Sequence, residues 1–104
     1  TDSAAALRAA EIEADIIIKA TKVNGLYTSD PVKDPEAKFL SYCNYDDFIS
    51  NNLKIMDVTA IDLCRQSNIP IIVLDFFKEN ILYDLLIKKE KIGSLISKED
   101  VWPI

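Results

Sequence analysis

Two short stretches of this chain are rich in Ile and Val without alternation, and the segments between them carry apolar residues at helical spacing. Asp15-Ile16-Ile17-Ile18 leads the first, predicting a strand over residues 15–21. Residues 71–76 form the second. Runs of this kind mark strands buried on both faces, as in parallel sheets. Leu7, Ala10 and Ala14, set against Arg8, Glu11 and Glu13, predict an amphipathic helix over residues 2–14, capped by Asp2 or Ser3. A short helix over 45–52 follows Asn44 as its cap, and residues 40–43 suit a short strand. A helix over 57–67 turns Ile61 and Cys64 inward and breaks at Asn68-Ile69-Pro70. Residues 80–89 predict a helix with Asn80 as N-cap and Leu82, Leu85 and Leu86 inward, with Lys88 to Lys91 as its solvated end. Residues 94–97 give a last strand and 101–104 an extended tail. Residues 22–39, with Asp30-Pro31 and Asp34-Pro35, predict a long polar loop. Strands alternating with helices imply an α/β fold whose mainly parallel sheet is covered on both faces.

Composition narrows this only a little. The 104 residues make one domain or less, and a hydrophobic fraction of 49% is enough for a core. A net charge of −5 gives no reason to expect a nucleic-acid partner, although local lysines and backbone N–H groups can still hold a nucleotide. With no histidine, His-based acid–base or metal chemistry within these residues is excluded. Cys43 and Cys64 lack C-x-x-C spacing and read as reduced thiols. No apolar run reaches the roughly 18 residues of a membrane span, and no signal peptide is evident.

Open α/β sheets bind ligands beyond the carboxyl ends of their strands. That rule places Lys19, Thr21, Lys22, Tyr27 and Asp30 at a ligand. Tyr27 can pack beside a base, Asp30 can accept from ribose or base, and the lysines can face phosphates. Taken alone, Asn24-Gly25 and Asp30-Pro31 read equally as turn chemistry. Thr1-Asp2-Ser3 at a helix start suits phosphate binding or a plain cap, and Asp57 is a natural N-cap of its helix.

One longer pattern tips these readings. Ile12-Glu13-Ala14-Asp15, then Lys19-Ala20-Thr21-Lys22-Val23-Asn24-Gly25-Leu26-Tyr27, then Asp30-Pro31 closely resembles the bacterial-type uridylate (UMP) kinases of the amino-acid kinase superfamily. The likeness continues in Lys54-Ile55-Met56-Asp57-Val58-Thr59-Ala60, in Asn68-Ile69-Pro70-Ile71 and in Glu90-Lys91-Ile92-Gly93-Ser94-Leu95-Ile96. It covers nearly the whole chain in one register. The resemblance implies a three-layer α/β/α fold, of which residues 1–104 would be the C-terminal, ATP-binding lobe. On this reading the N-terminal half is absent, and these residues alone are expected to give no turnover.

The resemblance further implies transfer of a phosphoryl group from ATP, with Mg2+, to UMP. Asp2 would be catalytic and Thr1 would touch UMP. Thr21, Tyr27 and Asp30 would bind ATP, with Lys19, Lys22 and Asp57 secondary and no metal ligand assigned. Lys54 would approach the nucleotide. A cytoplasmic or plastid homohexamer, activated by GTP and inhibited by UTP, with no nucleic-acid or membrane partner, belongs to the same expectation. Asn24 stands where the family usually has Asp, and Glu79-Asn80 where it has Pro-Gly. Two rivals share the fold: a kinase acting on a carboxylate such as aspartate or glutamate, and a nucleotide-binding storage protein. Thr1-Asp2-Ser3-Ala4-Ala5 and Lys54-Ile55-Met56-Asp57 favour UMP.

Overall fold

The computed structural model describes residues 1–104. Ten elements follow one another: α1 (Asp2–Glu11), β1 (Ile17–Thr21), β2 (Leu26–Tyr27), β3 (Phe39–Leu40), β4 (Tyr42–Cys43), α2 (Tyr45–Ser50), α3 (Val58–Ser67), β5 (Ile71–Asp75), α4 (Ile81–Leu86) and β6 (Ser94–Ile96). Four strands form one sheet in the order β1-β5-β6-β4, while β2 and β3 make a separate antiparallel pair. β1 with β5 and β4 with β6 run parallel; β5 with β6 runs antiparallel.

β5 sits inside the sheet and organises both layers around it. Successive side chains of a strand point to opposite faces. Ile71 and Val73 therefore enter the core shared with α1, α2 and α3, alongside Ala6, Phe48, Ile61 and Cys64. Ile72 and Leu74 enter a second, smaller core with Ile81, Leu85 and Leu95, against which Trp102 and Ile104 pack. With helices on both faces, the architecture is the expected α/β/α arrangement with a mainly parallel sheet.

Several local expectations change. β1 begins at Ile17 and is half-buried rather than buried on both faces, because it is an outer strand with β5 as its only neighbour in the sheet. Thr1, rather than Asp2 or Ser3, caps α1: its hydroxyl accepts from the Ala4 N–H at 3.2 Å. That helix ends three residues early and buries Ala6 and Ala9, leaving Leu7 51% exposed. Small residues on that face let α1 lie close against Ala60, Ile61 and Cys64 of α3. α4 stops at Leu86, with Leu86 outside, because Ile87 leaves the helix and Lys89 turns left-handed. Asn80 precedes α4 at φ 61° and its side chain makes no capping bond. Asn44 does cap α2, accepting from the Asp47 N–H at 2.7 Å.

Both cysteines are free and buried. Burial pushes each thiol up to about 11, with Asp47 adding to the effect at Cys43. A thiolate is the reactive form, so both should be nearly inert in the folded chain. Native protein at pH 8 is expected to react with a disulfide reagent at least tenfold more slowly than protein in guanidinium, where both thiols titrate. Equal rates would refute their inert burial. Because these pKa values are raised, the neutral thiols favour the fold below the ordinary value of 9.0, and this contribution fades as pH climbs from there towards 11.

Candidate active site

The sequence-predicted residues fall into two groups joined by one stretch of chain. Asp2 is the centre of the first. Lys19 Nζ of β1 lies 2.6 Å from Asp2 Oδ1, and the Asp57 N–H donates to Asp2 Oδ2 at 3.2 Å. One carboxylate thus ties the start of α1, β1 and the start of α3 together. Both side chains of the ion pair are mostly buried, at 29% exposure for Lys19 and 22% for Asp2. Burial by itself raises the Asp2 pKa; the Lys19 ammonium and the Asp57 N–H outweigh it and hold the carboxyl below its ordinary 3.8. The carboxylate is therefore charged at neutral pH and carries a bound cation. Asp57 takes part through its backbone only, and its side chain makes no capping bond to α3.

The second group lines a cleft of about 600 Å³ between the β2–Pro31 loop and residues 51–55. Tyr27 and Asp30 stand on one wall, Asn52, Lys54 and Ile55 on the other. The Tyr27 ring meets Phe39 edge to face, with centroids 5.5 Å apart, which fixes its tilt. Asp30 Oδ1 accepts from the Val32 N–H at 2.9 Å, and its carbonyl accepts from the Asp34 N–H at 2.8 Å. The turn reading of Asp30-Pro31 is thus correct, and the cleft uses that turn. Asp34 braces the same loop, accepting from the Ser29 hydroxyl at 2.6 Å and the Glu36 N–H at 2.9 Å; the first of these leads in lowering its pKa.

The groups meet along residues 52–55. A smaller cavity of about 290 Å³ is lined by Asp2, Met56 and Asp57 and also by Asn52, Leu53, Lys54 and Ile55 of the larger cleft. Lys54 borders both. Its position at the junction is what the Lys54-Ile55-Met56-Asp57 pattern could signal and what spacing alone could not.

Two predicted residues stand apart. Thr21 does not line the cleft. Its hydroxyl accepts from the Val23 N–H at 3.1 Å and lies within donating distance of the Val23 and Leu74 carbonyls, at 2.8 and 3.1 Å. It pins the end of β1 to β5. Lys22 stands over the Phe77 ring, 5.9 Å from its centroid, rather than facing the cleft. Thr1 sits at the cap of α1 beside Asp2. No group of three or more acidic or cysteine side chains is positioned to hold a metal ion. Both Asp2 oxygens already have partners, so the residues present do not form a metal cage by themselves.

β2 lies inside the expected loop, and the strand expected over 40–43 divides in two: Leu40 ends β3, which pairs with β2, while Tyr42–Cys43 forms β4 of the main sheet. β2 and β3 hang on Ser94 of β6, fully buried, whose hydroxyl accepts from the Leu26 N–H at 2.7 Å and donates to the Leu40 carbonyl at 2.5 Å.

Comparison with known proteins places the chain among kinases of one fold. Uridylate kinase from Hydrogenovibrio crunogenus is 51% identical over 96 residues, covering 92% of this chain and 40% of its own length. The corresponding enzyme from Magnetococcus marinus is 55% identical over 86 residues, covering 83% of this chain and 36% of its own. The chain thus spans about two-fifths of the curated relatives it matches. The crystal structure of UMP kinase from Ureaplasma parvum superimposes with a TM-score of 0.83 at 42% identity, over 93% of this chain and 41% of that one. A UMP kinase from Bacillus anthracis gives 0.89 at 32% identity, over 94% and 40%. Aspartate kinase from Synechocystis, at 24% identity and a TM-score of 0.70, shares the fold. The model of the amino acid kinase family matches residues 1–75, and the chain belongs to that family.

Proposed function

We propose that this chain is the nucleotide-binding, C-terminal lobe of a uridylate kinase, which transfers the γ-phosphoryl group of ATP to UMP, giving UDP and ADP in pyrimidine nucleotide synthesis. The observation that carries the reading is the 51% identity to a uridylate kinase over 96 residues, 92% of this chain; the Asp2–Lys19 pair and the Tyr27–Asp30 cleft both lie within residues 1–75, which the family model matches. A cleft of about 600 Å³ is of the size that holds a nucleotide.

In this reading Tyr27 and Asp30 hold the adenosine of ATP, and Thr21 acts from behind by fixing the strand end that leads into the loop. Phosphoryl transfer asks the protein for positioning and charge rather than covalent chemistry. Asp2 orients the Lys19 ammonium at the reacting end, Thr1 touches the UMP side, and Lys54 lies between the two groups. Asp57 contributes its N–H to Asp2, and Lys22 steadies the Phe77 rim. Mg2+ supplies charge neutralisation when bound with the nucleotide phosphates, as is usual for an ion that keeps few protein ligands. Assembly as a homohexamer in the cytoplasm or a plastid, with GTP activation and UTP inhibition, belongs to the same reading.

The test is a phosphotransfer assay on the gene product that carries these residues, with Mg-ATP and UMP, CMP, dTMP, aspartate and glutamate as acceptors. Turnover of UMP far above every other acceptor is the expected result. Preferential phosphorylation of a carboxylate would overturn the reading in favour of an amino-acid kinase. ATP binding without transfer would move the protein to a storage or regulatory class.

A further inference from the structure

We infer that Ser94 is a positioning residue for the donor-nucleotide cleft, acting through a single buried hydroxyl that locks the Tyr27 hairpin to the central sheet. The inference rests on the functional reading above and adds a residue to it that touches no nucleotide.

The geometry begins on β5. Ser94 is the cross-strand partner of Val73, at the start of β6, and is wholly buried. Gly93 brings it there: at φ +77°, its backbone passes so close to β5 that an added Cβ would lie 2.0 Å from the Val73 carbonyl oxygen. From this fixed point the hydroxyl reaches out of the four-stranded sheet to the hairpin. It accepts from the Leu26 N–H and donates to the Leu40 carbonyl, and those two residues are cross-strand partners in the β2–β3 pair. One proton and one lone pair thus satisfy one group on each strand. Gly25 allows the close approach, since a Cβ there would lie 2.4 Å from Ser94 Oγ and 2.9 Å from Phe39 Cε2.

A pair of two-residue strands has little stability of its own. Its place depends on what holds it, and here the hold is chemically specific. Removing the hydroxyl takes its partner from a buried N–H and a part-buried carbonyl, a cost the hairpin can relieve by moving towards water. Tyr27 follows Leu26 directly, and Asp30 lies three residues on, so any such movement displaces one wall of the cleft and leaves Asp2, Lys19 and Lys54 in place. The predicted signature is selective: donor binding suffers and acceptor binding does not.

The experiment compares the gene product carrying this chain with its Ser94→Ala and Ser94→Thr variants. KM for ATP, KM for UMP and kcat are measured, together with amide hydrogen exchange of residues 22–40 without nucleotide. Ser94→Ala is expected to raise KM for ATP about tenfold, the scale of one buried polar group left unpaired, with KM for UMP within twofold of wild type. Exchange at Leu26 should accelerate at least tenfold while β1 and β5 stay protected. Ser94→Thr keeps the hydroxyl and should restore both readouts. Should Ser94→Ala fail to fold, Gly25→Ala forces the hairpin off the same contact while keeping the serine, since its Cβ would lie 2.4 Å from Ser94 Oγ, and the same selective rise in KM for ATP is expected.

Unchanged KM for ATP and unchanged exchange in the Ala variant would overturn the inference. So would uniform loss of protection across hairpin and sheet, which would make Ser94 an ordinary core residue. A wild-type protein that phosphorylates no UMP would defeat the functional reading. The exchange measurement would then still decide whether Ser94 holds the hairpin.

Discussion

Replacing Asp2 by Asn is expected to lower kcat for UMP phosphorylation by roughly 10²–10³-fold, the range seen when one preorganised electrostatic group is lost from an active site. Asn is nearly isosteric and can still accept from the Asp57 N–H, so α1 and α3 keep their link. What disappears is the negative charge 2.6 Å from the Lys19 ammonium. Without that anchor the ammonium loses the position that the proposed function gives it beside the reacting phosphates. KM for ATP should change far less, because Tyr27 and Asp30 line a separate cleft. A variant with wild-type kcat would remove Asp2 from the catalytic machinery.

The same substitution has a thermodynamic signature with a definite sign. The Asp2 pKa is below 3.8 in the folded chain, so its ionisation favours the fold above that value, and the contribution is lost as pH falls through the lowered folded pKa. At neutral pH the Asn variant should be less stable by about 1–2 kcal/mol, as for a hydrogen bond to a charged group. Denaturant titrations should show this gap closing as the solution is acidified below pH 3.8. A gap independent of pH would mean that the carboxylate charge contributes nothing to stability.

Gly93→Ala is expected to destabilise the fold by about 3–5 kcal/mol, from overpacking plus backbone strain. Two effects act on one atom. The residue sits at φ +77°, where an L side chain is strained, and the new Cβ would lie 2.0 Å from the Val73 carbonyl oxygen and 3.1 Å from Leu74 Cβ. The obstacle is backbone of the central strand, which cannot rotate away as the end of a flexible side chain could. Guanidinium titration followed by circular dichroism measures the loss. A shift below 1 kcal/mol would show that β6 can slide against β5, and the register Val73↔Ser94 would then be soft.

Elements whose cause is local could be read from the sequence. β5 announces itself through Ile71 to Leu74, all buried, because a strand covered on both faces must be apolar throughout. α2 is marked by Asn44, whose side chain does cap it, and α3 ends at Asn68 in the left-handed conformation. What escaped was set by distant partners. Leu7 looked like the inner face of α1, yet Ala6 and Ala9 are inside, because close approach to α3 favours the smallest side chains. β1 looked fully buried because apolar content cannot tell an inner strand from an outer one. Nothing in the sequence pairs Leu26 with Leu40, because the serine that supports both lies 68 residues from Leu26.

The site was legible in the same proportion. Tyr27 and Asp30, expected at a ligand from their place in the loop after β1, line the cleft. Asp2 and Lys19, 17 residues apart, were each suspected, but their direct bond was not foreseeable from spacing. Thr21, also expected at the ligand, bonds main-chain groups of Val23 and Leu74, because a hydroxyl at a strand end finds carbonyls within reach. Lys54 gains weight from the structure, since it borders both cavities.

The strand order has a bearing on synthesis. β6 comes after β1, β4 and β5 in the sequence, yet it lies between β5 and β4. As the chain leaves the ribosome, β1 can meet β5 first, while β4 and the hairpin wait without a neighbour until residues 94–96 emerge. Only then does the four-stranded sheet close, and only then is the wall of the cleft that carries Tyr27 held in place. A nascent chain arrested before that point would leave the Leu26 N–H and the Leu40 carbonyl without their Ser94 partner, and the β2–β3 pair would stay unanchored until those three residues appear.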